Sequence, residues 1–299
     1  MYDIAIVGGG PAGLTAAIYS VRANRKVIVL EAVACGGQII NTSMVENYPA
    51  APNMTGLEFG QTLQRQAENL GVEIEFEKVE KIIDEGEYKL IKTEDDQYKA
   101  KVVILACGTE PRKLSLDNEE KFTGHGVSYC ATCDGGFYKH QVVAVNGGGN
   151  SALHEALYLS NLAEKVYLIH RRDEFRGNPS FVERLKQKDN VEFVLNAHIV
   201  ALNGDRKLES ITVSQGDNTK EIAVNALFVS IGRMPKAKGL IDGLELDKEG
   251  FIDAGENCST NIPGIFVAGD VRKKTIRQLV TATSDGAVAA TEALNFEYK

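Results

Sequence analysis

The chain has no tryptophan and no low-complexity tract, so its composition marks no disordered tail. It has no run of about 20 apolar residues, the length a helix needs to span a bilayer. No basic n-region or small-residue cleavage site precedes the first strand-like run at Tyr2, so no secretory signal is expected. A cytoplasmic location without membrane contact is the resulting expectation. An excess of cations is missing too. Lys and Arg number 33 against 41 Asp and Glu, and a net charge of −8 argues against nucleic acid as a partner. A disulfide framework is also lacking. The five cysteines, Cys35, Cys107, Cys130, Cys133 and Cys258, are an odd and scattered set that a reducing cytosol would leave unpaired. Only Cys130 and Cys133 lie close together.

What the chain does have is an internal repeat. Its 299 residues predict about two domains. "YDIAIVGGGPAGLTAAIYSVRANRKVIVLEA" opens the chain, and "HQVVAVNGGGNSALHEALYLSNLAEKVYLIHR" returns to the theme 139 residues on, from Gly8 to Gly147. Each unit is an apolar run, a glycine turn, a helix-period segment and a second apolar run, which reads as βαβ. The repeats close alike, in "VVILACGTEP" and "ALFVSIGRMP", with Gly-x-x-Pro at Gly108–Pro111 and Gly232–Pro235. The stretches "VEIEFEKVEKII" and "VEFVLNAHIVALN" read as meanders covering each sheet. The fold class is therefore α/β, with two Rossmann-like doubly wound domains. The strand in "PGIFVAGD" most easily completes the first sheet, which makes the second domain an insertion into the first. The expected boundaries are 1–112 with 241–299, and 113–240.

The two glycine turns want different ligands. Gly8, Gly10 and Gly13 form G-x-G-x-x-G between a strand at Ile4–Val7 and a helix from about Pro11 and Ala12. The first glycine makes the turn, the second admits a pyrophosphate, and the third lets helix and strand pack closely. The pyrophosphate would sit on the helix N-terminus. Glu31 follows the second strand and can accept from a ribose hydroxyl. The second turn reads Gly147, Gly149 and Ala152, an accepted variant. Where Glu31 stood, it carries "HRRDEFR", with His170, Arg171, Arg172 and Arg176. Arginines there would clasp a 2′-phosphate, each charge-assisted contact contributing about 1.5–3 kcal/mol. The alternative is a solvated basic face, but the run falls where the adenosine ribose should lie. The first site suits FAD and the second NADPH, and two dinucleotides in one chain imply hydride transfer between them.

"SYCATCDGGF" admits three readings. A zinc site needs four ligands, and no second C-x-x-C or His pair accompanies this one. Two inert buried thiols are possible. A redox dithiol fits best, since C-x-x-C closes a small disulfide ring and a flavin needs a two-electron outlet. Asp134 is then placed to move a proton, or else is a turn residue.

The ordered set "GGGPAG", "CATCDG", "GGGNSA", "HRRDEFR" and "GIFVAGD" resembles the low-molecular-weight thioredoxin reductases over nearly the whole chain. "CATCDG" inside the second module is the most specific mark. The resemblance implies a homodimeric NADPH-dependent enzyme with FAD, acting on thioredoxin. It implies Cys133 as the thiol facing the flavin, Cys130 as the one that attacks thioredoxin's disulfide, and Asp134 as the acid. It implies flavin contacts from Gly37 and Gln38 of "CGGQ", Asn47, Gly108, Gly269, Asp270, Arg277 and Gln278. For NADPH it adds Asn150, Ser151, Ile231, Gly232 and Arg233 to the residues above. A domain rotation about hinges near 112–116 and 240–245 is also implied. Asn150, His154 and Cys107 depart from the Asp, Glu and Thr common in the family, which puts nucleotide affinity slightly in question. Cys35 and Cys107 read as small buried residues without a redox role. Two other readings stay open: a related flavoprotein with a ferredoxin donor or a peroxidase partner, and a nucleotide-binding redox sensor without turnover.

Overall fold

In a computed structural model, residues 1–297 are described apart from 43, 52 and 53. The chain divides into two units, Met1–Glu110 with Met234–Lys299, and Pro111–Arg233.

The first unit begins β1 (Tyr2–Val7), α1 (Pro11–Arg22), β2 (Val27–Leu30), α2 (Gly56–Asn69), β3 (Glu73–Glu75), β4 (Val79–Asp84), β5 (Lys89–Thr93), β6 (Gln97–Leu105) and β7 (Thr109–Pro111). The inserted unit holds α3 (Glu119–Phe122), β8 (Val127–Ser128), α4 (Ala131–Asp134), β9 (Val142–Asn146), α5 (Asn150–Leu159), β10 (Lys165–Ile169), α6 (Pro179–Lys186), β11 (Val191–Val194), β12 (His198–Asn203), β13 (Ser210–Gln215), β14 (Asn218–Ala223) and β15 (Ala226–Val229). The return is β16 (Arg233–Pro235), β17 (Ile265–Val267) and α7 (Leu279–Leu294).

The first sheet is ordered β3-β2-β1-β6-β5-β4. Its nine-residue β6 serves two partners on one edge. The first half pairs antiparallel with β5, from Lys92↔Gln97 to Lys89↔Ala100. The second half pairs parallel with β17, from Ile265↔Val103 to Val267↔Leu105. The strand expected to complete the first sheet therefore does so. Strands β2 and β17 and the second halves of β1 and β6 are apolar on both faces because both faces are covered, as a parallel sheet requires. Helices α1 and α7 cover one face through Leu14, Ala17, Ile18, Ala289 and Ala290. Ile82, Ile91, Leu240, Ile241 and Ile252 cover the other.

The inserted sheet is parallel in the order β11-β10-β9-β15-β8. Leu153, Leu157 and Leu185 of α5 and α6 pack with Phe228 on one face. The separate β12-β13-β14 sheet packs on the other through Ile199, Ile211, Val213 and Ile222. The two repeats are thus the same architecture, with β8 in the place β17 takes in the first unit.

Two expectations need correction. The stretches read as meanders each open with the outer parallel strand, β3 or β11, and only then turn antiparallel. An edge strand buried on one side alternates like a meander strand, so the pattern could not separate them. The second crossing lies at 233/234, not near 240, and the first at 110/111. By Ala237 the chain is already in the first unit's core, and Ile82 N–H donates to Leu240 O at 2.6 Å. Among the described residues no helix is long and apolar enough to cross a membrane.

The third glycine of the first turn is the tightest point. A Cβ on Gly13 would lie 1.9 Å from Gly8 O. In the second repeat Ala152 is accommodated, its Cβ backing onto Gly147. Gly13→Ala is expected to cost about 1–3 kcal/mol, the usual toll of overpacking, read as a lower denaturant midpoint. Ala152→Gly should shift it by about 1 kcal/mol or less.

Candidate functional site

Helices α1 and α5 start in the same unusual way. Each is capped by a glycine in extended conformation, Gly10 or Gly149, with no side-chain cap and no acid in the first turn. The other helices of eight residues or more are capped by the protein itself. Thr55 and Glu58 form a capping box on α2, Asn178 accepts from Ser180 N–H on α6, and Gln278 and Thr281 box α7. Uncapped N–H groups at a helix start, with the dipole behind them, form an anion site. Space is reserved there. A Cβ on Gly149 would meet nothing within 4 Å, and one on Gly10 only Gly37 Cα at 3.9 Å. Both turns fit a pyrophosphate in donor chemistry and in room.

Around the first turn the structure gathers most of the residues expected to hold flavin. Glu31 accepts from Gly9 N–H at 2.6 Å and Val33 N–H at 3.0 Å, which fixes its carboxylate beside the turn. Gly36 N–H donates to Gly9 O at 2.8 Å, bringing "CGGQ" alongside. A Cβ on Gly269 would lie 2.8 Å from Ala12 Cβ, so the turn after β17 also abuts α1. Asn47 Nδ2 donates to Gln278 Oε1 at 3.2 Å across 231 residues. Arg277 Nε donates to Asp270 O at 3.1 Å, its guanidinium 3.9 Å from the Phe251 ring centroid. Gly108 receives Lys236 N–H at 3.2 Å, and neighbouring Cys107 lies against Gly8.

A buried carboxylate braces this turn. Asp285 of α7 takes Arg272 Nε at 3.1 Å and Nη2 at 3.0 Å, Lys274 Nζ at 2.6 Å and Gly269 N–H at 3.0 Å. Burial works against its charge, but the two cations prevail and hold its pKa below the ordinary value. No sequence pattern had marked it.

In the second site the arginine loop closes back on the glycine turn. Arg176 and Gly177 N–H donate to Gly148 O at 2.9 and 3.2 Å, and Asn178 N–H donates to Asn150 Oδ1 at 2.7 Å. Asn150 thus ties the loop to α5 by its amide oxygen. Arg171, Arg172 and Arg176 are exposed, with Ser151 exposed next to them. His170 is buried. Its ring fills the space a Cβ on Gly148 would need, stacks on Phe175 at 5.1 Å and meets Glu174 O at 3.1 Å. Burial and the three arginines hold it below its usual pKa, so it supports the loop as a neutral ring. Ile231 is half-buried against the core, and Gly232 O receives Arg112 N–H at 3.0 Å, with Arg233 opening β16. His154 is exposed and lies edge-on to Phe181.

Cys130 and Cys133 are joined in a disulfide. They follow the carboxyl end of β8, as Gly269 and Asp270 follow β17, where open α/β sheets place their ligands. Ser128, missed from sequence, organises the turn. It accepts from Cys130 N–H at 3.1 Å and donates to Asp134 Oδ2 at 2.7 Å. The other carboxylate oxygen, Oδ1, is buried with no hydrogen-bond partner among the described residues. Burial pushes the Asp134 carboxyl above its ordinary pKa, and the Ser128 bond draws it only partly back. Such a group is suited to carry a proton. Cys35 and Cys107 are instead pushed up to about 12 by burial, which leaves them unreactive thiols.

The pyridine nucleotide-disulphide oxidoreductase model matches residues 2–286. A thioredoxin reductase of Listeria innocua is 40% identical over 299 residues, covering 99% of this chain and 94% of that protein. This chain belongs to the thioredoxin reductase family. The thioredoxin reductase structure from Streptococcus pyogenes shares 39% identity, covers 99% of this chain and 97% of that one, and superposes with a TM-score of 0.93. A ferredoxin-flavin thioredoxin reductase from Clostridium acetobutylicum shares 35% identity over 98% of this chain and 97% of that one, with a TM-score of 0.54. As a member of the thioredoxin reductase family the chain is an oxidoreductase with a disulfide redox centre.

The Asp134 environment makes a pH-dependent statement. A raised folded-state pKa means that full stability is present below the ordinary carboxylate value and is lost as pH rises through the folded value. Asp134→Asn removes that loss. The variant's melting temperature is expected to exceed the wild type's by more at pH 8 than at pH 5. An equal gap at both pH values would contradict the assignment.

Proposed function

We propose that this chain is an NADPH-dependent thioredoxin-disulfide reductase, with FAD on the discontinuous unit and NADPH on the inserted one. The observation that carries the reading is the Cys130–Cys133 disulfide, set in the arginine-bearing module beside a buried carboxyl aligned by Ser128. When bound, the flavin supplies the two-electron step between nicotinamide and disulfide.

The chain's own residues account for the rest. The N–H groups opening α1 and α5 take the two pyrophosphates. Glu31 takes the flavin-side ribose. Arg171, Arg172 and Arg176 favour a 2′-phosphate over a bare hydroxyl. Gly37, Gln38, Asn47, Asp270, Arg277 and Gln278 complete the flavin side. Opening the disulfide takes two electrons and two protons and leaves two thiols, and Asp134 delivers one of those protons to a departing thiolate. In the second half Cys130, as thiolate, attacks the partner's disulfide. Cys133 then closes on Cys130 and releases the partner as a dithiol. A reducing compartment such as the cytosol suits an enzyme with this outcome. Assembly as a homodimer belongs to the same proposal, and Tyr19, Leu57 and Leu70, exposed on or beside α1 and α2, support it. The exposed arginines against the second glycine turn favour a nicotinamide donor over ferredoxin.

Purified protein given NADPH and thioredoxin is expected to turn over repeatedly. Cys130→Ser should abolish turnover while NADPH still bleaches the flavin in stopped flow. A redox sensor would instead bleach once and pass nothing on. Arg171→Ala with Arg172→Ala should cut the NADPH-over-NADH preference about 100-fold, read from kcat/KM with each nucleotide.

A further inference from the structure

Thr132 stands between the two cysteines, in the four-residue α4 whose N-cap is Cys130. Its hydroxyl oxygen lies 3.4 Å from the Cys130 sulfur. A sulfur in a disulfide carries no hydrogen, so in this contact the hydroxyl donates and the sulfur accepts. Among the described residues no side-chain hydrogen bond reaches the Cys133 sulfur, so the pair is asymmetric. The arrangement does not depend on the S–S bond. Cys130 N–H donates to Ser128 Oγ at 3.1 Å, and Cys130 O accepts from Cys133 N–H and Asp134 N–H at 3.2 and 3.1 Å. These bonds fix the Cys130 backbone, and the β-branched Thr132 side chain has few χ1 choices of its own. Opening the disulfide therefore leaves a hydroxyl beside the Cys130 sulfur.

We propose that Thr132 is a catalytic residue of the dithiol half-reaction: its hydroxyl donates to the Cys130 sulfur and holds it as the thiolate that attacks the partner's disulfide. Reduction leaves two thiols, and one must give its proton to solvent before the pair can act as a nucleophile. A hydrogen bond to an anion is about twice as strong as one between neutral groups. The donor thus favours loss of the Cys130 proton, and Cys133 keeps its own until it closes on Cys130. Two cysteines in one short turn thereby take different parts. The inference rests on the redox role of the pair proposed above.

The test is the pH profile of Cys130 alkylation in flavin-loaded protein, with Cys133→Ser so that one thiol of the pair titrates alone. Iodoacetamide reacts with the thiolate, which displaces iodide and forms a thioether, and peptide mass mapping reads the labelling at Cys130. Against that parent, Thr132→Val replaces the hydroxyl by a methyl of like size. It should raise the midpoint by about one unit, which is about tenfold less thiolate below it. Thr132→Ser keeps the donor and should stay within about half a unit of the parent. The titratable side chains of the turn and the elements packed on it are Asp134, Tyr138, Tyr129 with its partner Glu119, and Glu155 and Tyr158 of α5. All are unchanged in these variants, so a difference between them belongs to the hydroxyl. A Thr132→Val shift below about half a unit, or a Thr132→Ser shift above it, overturns the inference. Should Thr132→Val fail to fold, Thr132→Ala is read by the same limit. A Cys130 that iodoacetamide leaves unlabelled at every pH would sink the redox reading itself, and this inference with it.

Discussion

A helix that begins without a side-chain cap leaves its first N–H groups for something other than the chain, and α1 and α5 both begin that way. A phosphate group can approach them only if the preceding turn carries no Cβ in its path. This requirement sets the sequence of both turns. Gly8 has φ 111° and would push a Cβ to 2.4 Å from Ala106 O, while Gly147 would meet Ser230 O at 2.3 Å. The strand, the turn and the helix are pressed so close that their neighbours are chosen by fit as well. The ring of His170 is seated on Gly148, and α7 comes so near α1 that a Cβ on Gly286 would lie 2.2 Å from Ala12 O.

On this common frame the two units differ at one topological position. The turn after the strand beside β6 carries Gly269 and Asp270, braced by Asp285 and its two cations. The turn after the strand beside β15 carries the disulfide, braced by Ser128. In the first a carboxylate from the unit's own helix holds a backbone N–H of the turn; in the second a hydroxyl from the preceding strand does. The charge environments differ. Asp285 is pulled below its usual pKa by Arg272 and Lys274, so it is an anion and a fixed part of the scaffold. Asp134 has no such pair of cations and is pushed up by burial, so its proton is within chemical reach.

Most of the architecture could be read from the chain alone, because glycine spacing and apolar runs are direct records of backbone geometry. The loop of Arg171, Arg172 and Arg176 was legible for a similar reason: it follows a strand whose end has a known relation to the turn. The edge strands β3 and β11 were not, since half-buried alternation is shared by parallel and antiparallel edges. Nor was the second crossing, because Gly232–Pro235 closes the repeat while the apolar Ala237–Ile241 looks the same in either core. Ser128 is one hydroxyl among many. Asp285 is hidden in the same way, one of two acids in an otherwise small-residue helix.

The crossings at 110/111 and 233/234 lie side by side as the β7-β16 ribbon, with Arg112 N–H on Gly232 O at 3.0 Å. The inserted unit therefore has one continuous stretch of chain whose ends meet, whereas the unit that surrounds it is cut in two. During synthesis the inner unit has every one of its strands in hand before the outer one has received β17 or α7. The outer sheet must wait, with the far edge of β6 uncovered over Val103–Leu105, until the ribosome has moved well past the inner unit. Any period of exposure to misassembly thus falls on the outer sheet and not on the sheet that carries the sulfur pair.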